Sequence, residues 1–368
     1  TSSRADFGVY LPLLKVLRAD PDFHFDLIVF GTHLSKLHGY TVKDIEDCGF
    51  NAAYTLTTVL SNDSEEAVST SASLTSIKFT EFWRQNAKKY SLVLCLGDRY
   101  EMFSAVIAGV PFGINFVHFY GGDYSKGAID NVYRDGMTIC SKLHFTSTRQ
   151  CANRAKSICS DYFSVDHVGI ISLQDYLSME LLSDEMFKEK WSIDLTIPSV
   201  LITFHPETIH PERNVTFANI VYEVLLDMLE DYQIIITMPN ADTFGMVFRD
   251  AYWRLREVSP NRVKLIENFG IESYFKCMSK VKFMIGNTSS GISESASFGK
   301  YFINIGDRQV GRQFGENIIS VPFKREEILS ASKVVEHLGK YEGENIYFKE
   351  NSLHIIINRL KEYGNKVI

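Results

Sequence analysis

No apolar run in this chain approaches the ~20 residues that a helix needs to cross a bilayer, and no stretch has the character of a signal peptide. A membrane partner is therefore not expected. Basic residues are too few for a polyanion-binding face: 38 Lys and Arg stand against 45 Asp and Glu, a net charge of −7. That balance argues against nucleic acid as a partner, although a few local cations can still dominate one anionic site. Cysteine is sparse and unpatterned. Cys48, Cys95, Cys140, Cys151, Cys159 and Cys277 form no C-x-x-C pair, and Cys95, Cys140 and Cys277 fall in apolar runs. The expectation is buried free thiols in a reducing, cytoplasmic compartment. No His, Cys or carboxylate spacing suggests a metal site, and neither metal nor cofactor is expected. The P-loop, the G-x-G-x-x-G turn and the G-x-S-x-G elbow are all missing, so nucleoside-triphosphate, NAD and α/β-hydrolase readings lack their marks.

What is present reads as a globular protein, 45% hydrophobic and 23% charged. Its 368 residues exceed one ordinary core, and a prior of about 150 residues per domain points to two. Short apolar runs at 25–30, 92–96, 114–118, 143–146, 200–204, 233–237, 282–285 and 301–305 read as parallel strands covered on both faces. Amphipathic segments at 77–88, 102–108, 215–229 and 246–258 lie between them. The fold class is thus α/β, with two doubly wound, Rossmann-like domains and right-handed crossovers. The predicted division is 1–171 for the first domain, 172–197 for a charged linker, and 198–345 for the second. A C-terminal helix over 346–368 is expected to pack back across the domains. Residues 61–76 read as a polar, Ser/Thr-rich loop. Thr1-Ser2-Ser3-Arg4 reads as the loop after a strand, which places the true N-terminus upstream.

Open parallel sheets bind ligands beyond the carboxyl ends of their strands, and two facing sheets would share one ligand in a cleft. Every chemically suggestive motif falls at such an end. Gly286-Asn287-Thr288-Ser289-Ser290-Gly291-Ile292-Ser293-Glu294 follows a strand and opens a predicted helix at 292–298, which suits a phosphate. Thr288, Ser289 and Ser290 would donate to it, and Glu294 would accept from ribose hydroxyls; an ordinary N-cap is the plain alternative. Leu96-Gly97-Asp98-Arg99-Tyr100-Glu101 offers Arg99 as a planar fork for a diphosphate and Asp98 as a floor carboxylate, or else a helix cap. His118-Phe119-Tyr120-Gly121-Gly122-Asp123 leads to Gly127-Ala128-Ile129-Asp130 and Arg134. Asp130 and Arg134 share a helix face, so a local ion pair is the alternative there. Phe204-His205-Pro206-Glu207 offers His205 to a phosphate. Met238-Pro239-Asn240-Ala241-Asp242, Gly306-Asp307-Arg308-Gln309-Val310-Gly311-Arg312 and Arg4 complete the set.

These motifs, from Ser3-Arg4-Ala5-Asp6 to Gly315-Glu316-Asn317, resemble the UDP-N-acetylglucosamine 2-epimerase family, in particular the hydrolysing branch of sialic-acid and legionaminic-acid synthesis. The resemblance implies a two-domain glycosyltransferase-B-like fold, UDP held mainly by the C-terminal domain, no metal, and a homodimer or higher homo-oligomer. It implies nucleotide contacts from Arg4, Arg99, His205, Thr288, Ser289, Glu294 and Arg308, to which their strand-end positions add Ser290, Asn240 and Asp242. Asp98 and Asp130 match acid/base positions, and His33 an active-site loop. Where relatives often carry a glutamate this chain has Tyr120, so Tyr120 or Asp123 would take over its role beside Arg134. The implied reaction takes UDP-N-acetylglucosamine, or its 4-acetamido-6-deoxy analogue UDP-N,N′-diacetylbacillosamine, to UDP and the free 2-epimeric sugar. The alternatives are a non-hydrolysing epimerase, a glycosyltransferase of the same fold, or a non-catalytic nucleotide-sugar binder.

Overall fold

The computed structural model describes residues 1–62, 64–126, 129–159, 163–174, 180–207, 210–239 and 245–367. The chain divides into two compact units, the first of 1–124, 129–175 and 347–368, the second of 125–128 and 176–346. In the first, β1 (Leu27–Phe30) pairs with β2 (Ala52–Leu56), while β3 (Val93–Leu96), β4 (Phe116–Phe119), β5 (Ser141–Thr146) and β6 (Ser164–His167) form a sheet in that order. In the second, β7 (Ser199–Thr203), β8 (Gln233–Thr237), β9 (Val263–Ile266), β10 (Met284–Gly286), β11 (Phe302–Ile305) and β12 (Ile318–Val321) make one sheet. Its order is β9-β8-β7-β10-β11-β12 and every pairing is parallel. That is the Rossmann order, in which the direction of winding reverses between the first and fourth strands, here β7 and β10.

Each strand read from the sequence is present within a few residues. The four strands that escaped notice, β2, β6, β9 and β12, all lie at sheet edges. An edge strand is not sandwiched on both faces, so it need not be a continuous apolar run. β2 alternates exposed and half-buried residues, and β6 is half-buried throughout, whereas β7 and β8 are buried at every position.

The segment read as a loop at 61–76 is corrected: a helix runs over Glu65–Asn86. Ser64 caps it by accepting from Ala67 N–H at 3.2 Å, and Glu65 and Glu66 stand at its positive end. Its buried face begins with Ala67, Ser71 and Thr75 before Phe79 and Phe82. Thr75 satisfies its hydroxyl on the Ser71 carbonyl at 2.8 Å, and Ser71 accepts from Leu60 N–H at 3.0 Å. Small hydroxyl residues therefore form an inward face that hydrophobic periodicity does not register.

The 172–197 stretch holds a helix, Asp184–Trp191, whose Phe187 is fully buried against Phe269 and whose Asp184 pairs with Lys276 and Lys280 in the second unit. The closing helix runs over Ser352–Val367 and belongs to the first unit. Ahead of it, Ile170 N–H donates to Tyr347 O at 2.8 Å and Lys349 Nζ to His167 O at 2.6 Å. Among the thiols, Cys95, Cys151 and Cys277 are buried, but Cys140 and Cys159 are only half-buried and Cys48 is exposed. Among the described residues no helix is long and apolar enough to cross a membrane.

The core of the first sheet carries two histidines in register, His118 on β4 beside His144 on β5, with ring centroids 6.4 Å apart. Both are fully buried. Burial disfavours the imidazolium, holding His118 down to about 4 and His144 to about 3 from an ordinary 6.5. An unfolded chain takes up these protons near pH 6.5, while the folded core refuses them until far lower pH. Stability is therefore complete above about pH 6.5, falls as pH drops through that value, and levels off only below about 3. The expected loss is on the order of 3 kcal/mol for each ring. Urea melts between pH 8 and pH 4.5 should show this slope, and His144→Leu should roughly halve it across that range.

Candidate functional site

In the first unit, the strand ends gather the acidic residues around one buried cation. Arg134, on the helix Asp130–Cys140, is 1% exposed. Its Nη2 donates to the Asp98 carboxylate just past β3, and its Nη1 to Asp123 O at 3.1 Å and Asn131 Oδ1 at 2.9 Å. Burial opposes its charge, but Asp98, Asp123 and Asp130 outweigh that cost and raise its pKa further. Arg134 is thus more than the local partner of Asp130: it links helix, β3 end and β4 end. Arg154 adds a donor to Asp123 O at 3.1 Å while pairing with both oxygens of Asp135 at 2.8 and 2.6 Å.

The scaffold beneath these groups is neutral. His118 Nε2 donates to Gly97 O at 2.9 Å, and its Nδ1 stands 3.2 Å from Thr138 Oγ1. Gly97 has φ +82, a conformation that suits glycine and turns the chain sharply before Asp98. Arg99 stands just before the following helix, Tyr100–Gly109, and its Nη2 donates to Glu101 Oε1 at 3.1 Å. Glu101 is completely buried, and burial raises its pKa. Although it ends a conspicuous motif, its ligand-like spacing gave no hint that it would turn inward to hold Arg99.

Arg4 opens the helix Arg4–Ala19, after Ser3, whose Oγ accepts from Asp6 N–H at 3.4 Å. His33, past β1, is fully buried, and its ring nitrogens lie 3.0 Å from Thr1 Oγ1 and 2.9 Å from Thr41 Oγ1. Burial keeps it neutral, near a pKa of about 4. Tyr120 has φ +68, unusual for a residue with a Cβ. Its phenol oxygen accepts the Ile171 N–H at 2.8 Å. Asp123 is buried, and its Oδ1 accepts from Tyr124 N–H at 3.0 Å.

In the second unit, the end of β7 carries His205 and the end of β10 carries Thr288 to Ser290, on the two strands flanking the winding reversal. At Gly286, φ is +154 and a Cβ would lie 1.9 Å from Thr203 O, so only glycine lets the strand ends close together. His205, Thr288 and Arg308 are buried, while Ser289 is exposed. The predicted helix at 292–298 is corrected. A five-residue helical turn, Ser289–Ser293, passes into a 3-10 turn, Ser295–Phe298. Few peptide dipoles align in so short a turn, so hydroxyls and side chains carry the polarity. Ser290 Oγ donates to Glu294 Oε2 and stands 2.9 Å from the Tyr274 hydroxyl. Asn240 and Asp242 lie outside the described residues, as do Gly127 and Ala128.

Comparison with known proteins identifies the family. The model of the UDP-N-acetylglucosamine 2-epimerase family matches residues 15–361. A GDP/UDP-N,N′-diacetylbacillosamine 2-epimerase (hydrolyzing) from Campylobacter jejuni is 31% identical over 87% of this chain and 82% of that protein. A UDP-N,N′-diacetylbacillosamine 2-epimerase (hydrolyzing) from Legionella pneumophila is 28% identical over 94% and 90%. In fold, the crystal structure of UDP-GlcNAc 2-epimerase from Neisseria meningitidis bound to UDP-GlcNAc superposes with a TM-score of 0.77 at 18% identity, covering 98% of each chain. With a match across nearly its whole length, and the Rossmann-like architecture to accompany it, the chain belongs to the UDP-N-acetylglucosamine 2-epimerase family.

Proposed function

We propose that this protein is a hydrolysing 2-epimerase, converting a UDP-linked 2-acetamido sugar to UDP and the free sugar inverted at C2. The observation that carries the reading is the buried Arg134 with Asp98, Asp123 and Asp130 around it. The C2 proton of such a sugar is a poor acid, because no carbonyl lies beside it. Its removal has to be coupled to departure of UDP from C1, which needs a positioned carboxylate and cations for the leaving diphosphate. Elimination gives a 2-acetamido glycal. Water then adds at C1, and C2 is protonated from the opposite stereochemical side.

Asp98 and Asp130 carry the two proton transfers. Asp123 or Tyr120 takes the further acid/base position: Asp123 is buried beside Arg134, and the Tyr120 hydroxyl, which accepts the Ile171 N–H, keeps its own proton to donate. His33 stays neutral and supports the β1 end. In the second unit, Arg308, His205 and Thr288 to Ser290 bind the diphosphate and Glu294 the ribose; Arg4 and Arg99 are assigned to the nucleotide by the motifs they form. Asn240 and Asp242 are assigned to the nucleotide by the motif they form. The two hydrolysing relatives favour release of free sugar over return of UDP to the glycal. By family analogy the active species is a homodimer.

The test is direct. UDP-N-acetylglucosamine and UDP-N,N′-diacetylbacillosamine are each incubated with the protein in heavy water, and the products are followed by NMR. The expected result is free 2-epimeric sugar from one of them, with deuterium at C2. A protein that binds UDP yet releases no sugar from either is a binder, and product without C2 deuterium removes the proton-transfer scheme.

A further inference from the structure

We propose that Asn287 and Gln309 are positioning residues that, with Glu207, brace three strand-end loops of the second unit into one frame set before a nucleoside diphosphate arrives. This rests on the nucleotide-sugar reading above and extends it to residues outside the proposed nucleotide contacts. Asn287 and Gln309 are both fully buried. The Asn287 carboxamide closes a ring of two hydrogen bonds with the main chain of His205: Nδ2 donates to His205 O at 2.8 Å, and Oδ1 accepts His205 N–H at 2.7 Å. Asn287 N–H also donates to Thr203 O at 3.1 Å. The β10 loop is thereby locked to the β7 loop at the winding reversal.

Gln309 extends the lock to the loop after β11, its Nε2 donating to Asn287 O at 2.6 Å. Glu207 closes the triangle, its Oε1 accepting Asp307 N–H at 3.2 Å. Glu207 is in turn fixed by Asn214, which accepts its N–H and donates to its carbonyl, both at 2.9 Å. Each loop therefore carries a brace next to a proposed nucleotide contact. His205 is gripped by its own main chain, Thr288 follows Asn287, and Arg308 precedes Gln309. Only a carboxamide presents one donor and one acceptor at the spacing His205 requires. A carboxylate in that place sets an acceptor against the His205 carbonyl. Loops held in their bound geometry bind more tightly because less ordering remains to be done.

The experiment measures UDP affinity by calorimetry and steady-state kinetics in Asn287→Asp, Gln309→Met, His205→Ala and the Asn287→Asp/His205→Ala pair, with thermal melts alongside. The expected result is a UDP affinity about tenfold to hundredfold weaker in folded Asn287→Asp, with KM rising more than kcat falls. The double variant should lose less than the product of its single losses, since His205 can be misplaced only while its ring is there. Gln309→Met should show a smaller loss in the same direction, and it decides the matter if Asn287→Asp does not fold. Variants that melt earlier but bind UDP as the parent does have lost only stability, and that result overturns the brace. Independent, multiplying losses overturn it too. A parent protein that ignores UDP removes the nucleotide-sugar reading and the brace together.

Discussion

Asp98→Asn is expected to lower turnover by roughly 10²–10⁴-fold, the usual contribution of a positioned acid or base. UDP affinity should hold, because the diphosphate contacts are assigned to other residues. The amide keeps an oxygen for the Arg134 Nη2 donor but has no charge and no basicity to offer a C–H bond. The informative comparison is single-turnover rate against UDP binding in the same sample. A rate within a few-fold of the parent would falsify the role of Asp98, whatever the binding shows. Failure of UDP binding along with the rate would mean that the substitution had disturbed the loop after β3.

Arg134→Met should be the most damaging single change in the first unit. It removes the guanidinium that Asp98, Asp123 and Asp130 surround, leaving carboxylates near one another with their principal cation gone. Breaking a buried ion pair by deleting one partner costs about 3–5 kcal/mol, and the Asp123 and Asn131 contacts go with it. Urea melts should show that loss, and activity should disappear even at temperatures where the variant is folded. Arg134→Lys keeps the charge but lacks the planar fork that reaches Asp98, Asp123 and Asn131 together, so it should fall between the two. A Met variant as stable as the parent would show that the cation does not hold this cluster together.

Reading the sequence recovered every interior strand of the two larger sheets, and the strands it missed all lie at sheet edges, for a physical reason. β7 and β8 are enclosed on both faces and spell out their burial in unbroken apolar residues. β6, Ser164–His167, meets a neighbour on one side only, and its composition is that of a loop. The helix Glu65–Asn86 shows a different blindness, since serine and threonine can line a packed face once their hydroxyls find main-chain partners. The candidate contacts were legible because chemistry concentrates where parallel strands end. Their supports were not. Glu101, Glu207, Asn287 and Gln309 lie inside the very motifs that drew notice, yet nothing in a linear string distinguishes a polar residue aimed at a ligand from one turned inward to hold its neighbour. Tyr120 adds a contact the string did not show: its hydroxyl oxygen accepts the Ile171 N–H.

The first unit is discontinuous along the chain, and its last piece, residues 347–368, follows the whole of the second unit. A ribosome thus delivers every residue of the second unit before the first can be finished. Tyr347 and Ile356, both buried, arrive after that unit has had its chance to fold. Until they do, Ile170 lacks the Tyr347 carbonyl and the 167–174 segment lacks its clasp. Synthesis therefore imposes an order in which the carboxylate cluster around Arg134 sits in the unit whose residues are completed last.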